Sequence, residues 1–354
     1  MKSAWLLGIT ALFVLEAAAQ TNSYTVTNII DNTQDKYLYN PWGMSRPTSP
    51  ALGETEWWVA DNNTGYSTLY YANKVGPASL AKLVVKIPAA RRRGVGSPTG
   101  TAYNEAIGPG PTASNFAFAT LDGTISNWNA GEKPARGRGS CAQCHVTTAT
   151  IKVNHSASGA SYQGLTIATS LTTGAPTYYA ANANGGVEAY DAATFSQASL
   201  PPGAFVDATI PSTYAPAGIQ AVGGVIYVLY NATAGGGTGY VNAYDTNGTL
   251  LLRLQQGWFK EPWGLAMAPA NFGLFSNMLL VGNTGNGWIG AYSPISGQFV
   301  DYLRDATGQP VTIPGLWGLG FGSGSAQSGP TNVLYFTGGG PDLTTGVFGA
   351  IAAN

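Results

Sequence analysis

Two cysteines and two histidines are all that a chain of 354 residues carries, and three of those four fall in one pentapeptide, Cys141-Ala142-Gln143-Cys144-His145. Two thiols separated by two residues, with an imidazole directly after them, have the spacing of covalent c-type haem attachment. The thiols add to the porphyrin vinyl groups and His145 ligates the iron. The same residues also suit a local disulfide, strained by its two-residue gap. They suit a metal ion held with His145, for which a fourth ligand is missing, or two free thiols. His155 is the tempting sixth ligand for a haem, but a strand over Thr148 to Val153 carries it about 25–30 Å from His145, so it reads as a turn residue. Lys133, Arg136 and Arg138 flank the motif, either as partners for haem propionates or as solvated loop charges.

A second group of candidates is scattered. Trp42, Trp263 and Trp317 each precede a glycine, while Asp61, Asn62, Asn182, Asn231 and Asn283 stand at the ends of short β-rich runs. Indole supplies an apolar platform and amides supply donors and acceptors, which together suit a sugar or another small polar molecule. The bland alternative is that the indoles pack between sheets and the Asn and Asp residues serve turns.

What would bring these residues together is a repeat. Asn40-Pro41-Trp42-Gly43 leads to Trp57-Trp58-Val59-Ala60-Asp61 and then Ser67-Thr68-Leu69-Tyr70. The same order of turn, β-rich run and second run restarts near Pro98, Gly164, Gly218, Pro262 and Trp317. Units of roughly 45 to 65 residues with a period of two predict the blades of a propeller. The last unit lacks a fourth strand, and Tyr24 to Ile30 is a strand without a unit. The fold expected is therefore an all-β, six-bladed β-propeller whose ring is closed by its N-terminal strand, leaving no long open edge.

In such a ring the second strand of each blade returns to the face where the first begins. The three tryptophans and the Asp/Asn residues should then share one face around a central channel. The Cys141–His145 motif, in an insert over about 131–146, should hang from the outer part of blade two on the opposite face. Neither histidine is expected at the Trp/Asn face, so hydrolysis by a Ser/His/Asp relay is disfavoured.

Lys2, the apolar run Ala4 to Leu15 and the small residues before Gln20 have the layout of a secretory leader over 1–20, followed by one propeller domain over 21–354. A secreted or periplasmic location follows as an expectation. Only 9% of residues are charged and the net charge is −1, which disfavours nucleic-acid and anionic-membrane partners. No stretch is long and apolar enough to span a bilayer.

The Pro-x-Gly starts followed by Val-Ala-Asp-Asn resemble the NHL repeat and propellers of the gluconolactonase type. Asn40-Pro41-Trp42-Gly43, Ser97-Pro98-Thr99-Gly100, Asp122-Gly123-Thr124-Ile125-Ser126, Pro262-Trp263-Gly264-Leu265 and Gly315-Leu316-Trp317 further resemble an uncharacterised family of secreted bacterial propellers. That resemblance, from about Tyr24 to Ile351, implies the fold and no activity. Gluconolactonase-type enzymes hold a metal with Glu, Asn and Asp; here Glu54 and Glu56 fall in a turn. The function expected is a non-enzymatic binding or interaction scaffold for a small polar ligand or an extracellular protein, with one haem c for electron transfer if the motif is loaded. The alternatives are a metal-dependent, lactonase-like hydrolase and a structural protein with a CxxC disulfide.

Overall fold

The computed structural model describes residues 20–47, 56–91, 93–107, 116–129 and 145–354. Residues 1–19 of the expected leader, Cys141, Cys144 and most of the insert lie outside the described residues, and of His145 only the backbone is described.

Six sheets make the six blades, antiparallel except for one added strand on blade one. Blade one is β2 (Pro41–Ser45), β3 (Trp57–Asp61), β4 (Tyr66–Tyr70) and β5 (Leu83–Lys86). Blade two is β6 (Pro98–Tyr103), β7 (Phe116–Thr120), β8 (Thr124–Trp128) and β10 (Thr150–Asn154), with β9 (His145–Thr148) preceding β10 in the chain. Blade three is β11 (Tyr162–Thr169), β12 (Pro176–Asn182), β13 (Gly186–Asp191) and β14 (Gln197–Ala198). Blade four is β15 (Tyr214–Val222), β16 (Val225–Ala232), β17 (Gly239–Tyr244) and β18 (Leu250–Arg253). Blade five is β19 (Pro262–Met267), β20 (Leu279–Asn283), β21 (Ile289–Tyr292) and β22 (Phe299–Tyr302). Blade six is β23 (Leu316–Phe321), β24 (Leu334–Gly338) and β25 (Val347–Ala353), completed on its outer side by β1 (Tyr24–Asp31).

The closing strand is in the expected place. Val26 pairs with Ile351, Thr27 with Ala350 and Ile30 with Phe348. The two ends of the chain thus share one sheet, and the ring is held by backbone hydrogen bonds rather than by blade packing alone. Tyr24 adds a second attachment, its amide donating to the Arg304 carbonyl of blade five at 2.8 Å.

Because strands alternate their side chains, each blade has two apolar faces and buries both against its neighbours. One cluster fills each seam. Trp58, Phe116 and Trp128 join blades one and two; Ile29, Trp57, Tyr335 and Phe348 join six and one. This distribution lets a chain of this length bury a large apolar surface without one oversized core.

One expectation is corrected. His145–Thr148 does not belong to blade two: β9 runs parallel to β5, Leu83 against His145 and Lys86 against Thr148, as a fifth strand of blade one. The chain then continues through Ala149 into β10 on blade two. Trp128 Nε1 of blade two donates to Thr147 Oγ1 at 2.8 Å, so this segment bridges the two outer edges. The backbone of His145 stands at the end of β5 remote from the Trp/Asn face.

Candidate functional site

The six inner strands β2, β6, β11, β15, β19 and β23 all start on one face, here the upper, and end on the lower. Near the start of each, the pairing with the second strand slips, between Pro41 and Met44, Pro98 and Gly100, Tyr162 and Gly164, Pro216 and Gly218, Pro262 and Gly264, and Leu316 and Leu319. A bulge re-aims the side chain it carries, and the residue so placed just before the shared glycine is Trp42, Thr99, Gln163, Ala217, Trp263 or Trp317. Blades five, six and one supply indoles; blades two, three and four supply smaller groups that leave them room.

The indoles meet at the upper end of the channel. Trp42 and Trp317 stack at 3.8 Å, and Trp263 stands edge-on to them at 6.0 and 5.7 Å. Trp263 Nε1 donates to the Gln163 carbonyl at 3.1 Å, reaching from blade five to blade three, and Trp317 Nε1 donates to Asn40 Oδ1 at 2.9 Å. All three are buried. Instead of an open ring of separate platforms they form a plug.

Just below, Gly43, Gly100, Gly164, Gly218, Gly264 and Gly318 form a collar. A methyl group on Gly100 would lie 2.2 Å from the Leu165 amide, on Gly264 2.1 Å from the Trp317 carbonyl and on Gly318 2.8 Å from the Trp42 carbonyl. Adjacent inner strands therefore approach backbone to backbone, which only glycine permits.

The Asp and Asn candidates are brought to the same upper face but face inward, each bracing a turn or the next blade. Asn62 donates to the Pro98 carbonyl at 3.1 Å, and Asn182 Oδ1 accepts from the amides of Ser161 and Asn184 at 2.9 and 3.1 Å. Asn283 Oδ1 accepts from the Lys260 amide at 3.1 Å. Asn231, with its amide oriented to suit its surroundings, donates to the carbonyls of Tyr230 and Pro262 at 3.0 and 3.3 Å.

Asp61 is fully buried, and burial, reinforced by the Asp35 charge, pushes its carboxyl well above the usual range. Thr68 Oγ1 lies 2.8 Å from Asp61 Oδ2 and 2.7 Å from Tyr70 Oη, and Tyr70 donates to Asp35 Oδ2 at 2.8 Å. One threonine proton cannot serve both neighbours, whereas a protonated Asp61 makes every contact in the chain a hydrogen bond. A carboxyl whose folded pKa is raised adds stability that is full below its unfolded pKa and is lost as pH rises toward the folded one. The loss is about 1.4 kcal/mol per pH unit. Asp61→Asn keeps the shape and removes that slope, so urea unfolding between pH 5 and 7 should favour the variant increasingly as pH rises. Parallel pH profiles for the two proteins would contradict a neutral Asp61.

The sizeable cavity on the axis opens on the lower face. It measures about 450 Å³ and is lined by none of the eight Trp, Asp and Asn candidates. Its wall is the lower ends of the inner strands, including Met44, Thr101, Gln220, Met267 and Phe321, with Arg46 and Glu105 at its charged side. Arg46 Nε donates to the Phe321 carbonyl at 2.8 Å, Nη2 bonds the same carbonyl, and Nη1 donates to the Pro47 carbonyl at 2.5 Å. The guanidinium lies 5.1 Å from the centre of the Trp57 ring. Burial pushes it down to about 10 while the Glu105 charge works the other way, so it remains a cation at neutral pH. Among the described residues, three of its five N–H groups are engaged.

His155 is corrected in a different way. The end of β10 lies beside Thr124 on the upper face, so this histidine does reach the face from which it was excluded, at the seam of blades two and three. It is a turn residue as expected, but its ring is held by Tyr162, Glu188 and Tyr190. Sequence reasoning missed that group because four residues from two strands and a turn converge. The one local signal was Glu188 and Tyr190 two apart, hence on one side of β13.

No protein-family model matches the chain. The uncharacterized protein R648 of Acanthamoeba polyphaga mimivirus is 27% identical over 323 residues, which cover 84% of this chain and 72% of that protein. The uncharacterized protein L690 of the same virus is 25% identical over 347 residues, covering 92% and 83%. Among solved structures, a glucose dehydrogenase superposes with a TM-score of 0.55 at 13% identity, covering 93% of this chain and 99% of that one; this likeness concerns the fold alone. Kinship with a secreted bacterial family is overturned by these relatives, which are uncharacterized viral proteins.

Proposed function

We propose that this propeller is a binding scaffold whose ligand occupies the lower funnel, with its acidic group against Arg46. The observation that carries the reading is a cavity of about 450 Å³, within the usual range for small-molecule sites, walled mostly by apolar groups and provided with one half-buried, aromatic-backed cation. The planar guanidinium suits a carboxylate or phosphate. The Trp plug and glycine collar make the funnel blind, so a ligand enters and leaves by the lower face.

The test is a thermal-shift and calorimetric screen with acetate, benzoate, gluconate, glutamate and inorganic phosphate, repeated on Arg46→Met, which keeps the bulk of the side chain. One or more of these anions should raise the wild-type melting temperature and bind at least 10-fold more weakly to the variant. A screen without a single shift, or equal shifts in both proteins, overturns the reading.

Export and haem loading are proposed separately, supported by the N-terminal leader and by the Cys141–His145 spacing. Protein exported from a host with haem-maturation machinery should begin near Thr21 and show a Soret band that survives denaturation. A colourless product of bare-chain mass from that host excludes the haem.

A further inference from the structure

The seam between blades two and three holds four polar atoms that are all mutual neighbours: His155 Nδ1, Tyr162 Oη, Glu188 Oε2 and Tyr190 Oη. Tyr162 Oη lies 2.8 Å from both Glu188 Oε2 and Tyr190 Oη and 3.0 Å from His155 Nδ1. His155 Nδ1 lies 3.2 Å from Tyr190 Oη and 3.4 Å from Glu188 Oε2, and the sixth pair, Tyr190 with Glu188, is in short contact. The phenols are buried, while the His155 side chain is 35% exposed.

Six close contacts need six protons if each is a hydrogen bond, and the group has three at most: one on each phenol and one on Nδ1. Even a proton added on the Glu188 carboxyl would leave two of the six contacts without one. Lone pairs thus face one another in a compact shell. Four donors that are all mutual neighbours can surround one ion only as a tetrahedron, where ion distances of about 2.0–2.1 Å place them roughly 3.3–3.4 Å apart. The 3.2 and 3.4 Å separations of His155 Nδ1 from Tyr190 and Glu188 fit this, and the oxygens 2.8 Å from Tyr162 would spread by about 0.5 Å as an ion displaces the protons between them. Asn182 Nδ2 donates to the other oxygen, Glu188 Oε1, at 2.6 Å, fixing the carboxylate from outside the shell as metal ligands commonly are.

We propose that His155, Tyr162, Glu188 and Tyr190 form a binding site for ferric iron. The choice of metal follows from charge and hardness. Two phenolates and a carboxylate carry three negative charges, which a trivalent cation cancels and a divalent one does not, and burial penalises the remainder. Hard oxygen donors with a single imidazole suit iron rather than a soft metal, and tyrosine is an established iron ligand. Among the described residues no three His, Cys, Asp or Glu side chains gather to hold a metal; here phenols complete the set. Binding releases the two phenol protons to solvent, and the Nδ1 proton moves to Nε2, leaving a neutral imidazole as ligand. Iron stays in the ferric state throughout. This site is independent of the lower funnel.

The test uses the full mature chain in a Cys141→Ser, Cys144→Ser background, which removes any covalent haem. Ferric nitrilotriacetate is added, excess chelate is removed, and iron is counted by elemental analysis beside the visible spectrum. One iron per chain and a phenolate-to-iron(III) charge-transfer band are expected. Tyr162→Phe with Tyr190→Phe should abolish both while retaining a cooperative melt. His155→Ala, at a half-exposed position, should weaken binding at least 10-fold and covers the case in which the double variant fails to fold. No band in the parent, or equal iron and an equal band in a folded double variant or in His155→Ala, overturns the site. One zinc per chain retained in preference to iron overturns the assignment of the metal.

Discussion

Alanine at Gly100 is expected to cost about 3 kcal/mol or more of unfolding free energy, while alanine at Gly164, the equivalent place one blade on, costs about 1 kcal/mol or less. The two positions share strand, bulge and solvent exclusion but differ in clearance. A new methyl would sit 2.2 Å from the Leu165 amide at Gly100 and 3.3 Å from the Ile219 amide at Gly164. Relief at Gly100 requires two inner strands to separate, and a closed ring cannot widen one seam without straining the others. Alanine also stiffens the unfolded chain, an effect common to both variants that stabilises by several tenths of a kcal/mol, so the difference between them isolates the contact. Urea unfolding of the pair decides the matter. Equal losses would show that close backbone approach is not what the collar glycines provide.

Tyr24→Ala should be the most damaging single change in the closing strand, at about 3–5 kcal/mol by analogy with other buried aromatics. The Tyr24 ring is 1% exposed and packs 5.0 Å from Phe272 and 6.0 Å from Phe275. Its hydroxyl donates to the Phe272 carbonyl at 3.0 Å and accepts from the Phe275 amide at 3.3 Å. The residue therefore ties the outer strand of blade six, where the two ends of the chain pair, to blade five. Tyr24→Phe, which removes only the hydroxyl, should cost about 1–2 kcal/mol. Val26→Ala, on the half-exposed side of the same strand, should cost about 0.5 kcal/mol or less. Hydrogen exchange across β25 supplies a second readout: its amides should lose protection in Tyr24→Ala before those of blades two to four. Uniform loss around the ring would mean that the ends are not where it opens.

The repeat of start, glycine and β-rich run was legible because strand periodicity and turn chemistry are local properties. Pro41-Trp42-Gly43 and Pro262-Trp263-Gly264 state their strand position without reference to the rest of the chain. The pairing of Val26 with Ile351 was legible for a related reason: one unit lacked a strand and one strand lacked a unit. The share of the upper face among Trp42, Trp263, Trp317 and the Asn residues followed from strand direction alone.

Strand direction did not say what those side chains would do there. Whether three indoles stand apart as platforms or close on one another depends on the channel's width, which the collar glycines set by letting inner strands touch. Likewise β9 begins in the insert expected on the outer part of blade two, and its pairing with β5 reflects the space between two outer edges. Arg46 and Glu105 share a funnel, and His155 meets Tyr162, Glu188 and Tyr190, only because blades pack face to face at fixed angles. The sequence by itself determined the number of blades and the strand that closes them, through patterns a few residues long. The tertiary structure decided which face is sealed, which is hollow and which distant side chains touch, because those depend on distances between strands that are not neighbours in the chain.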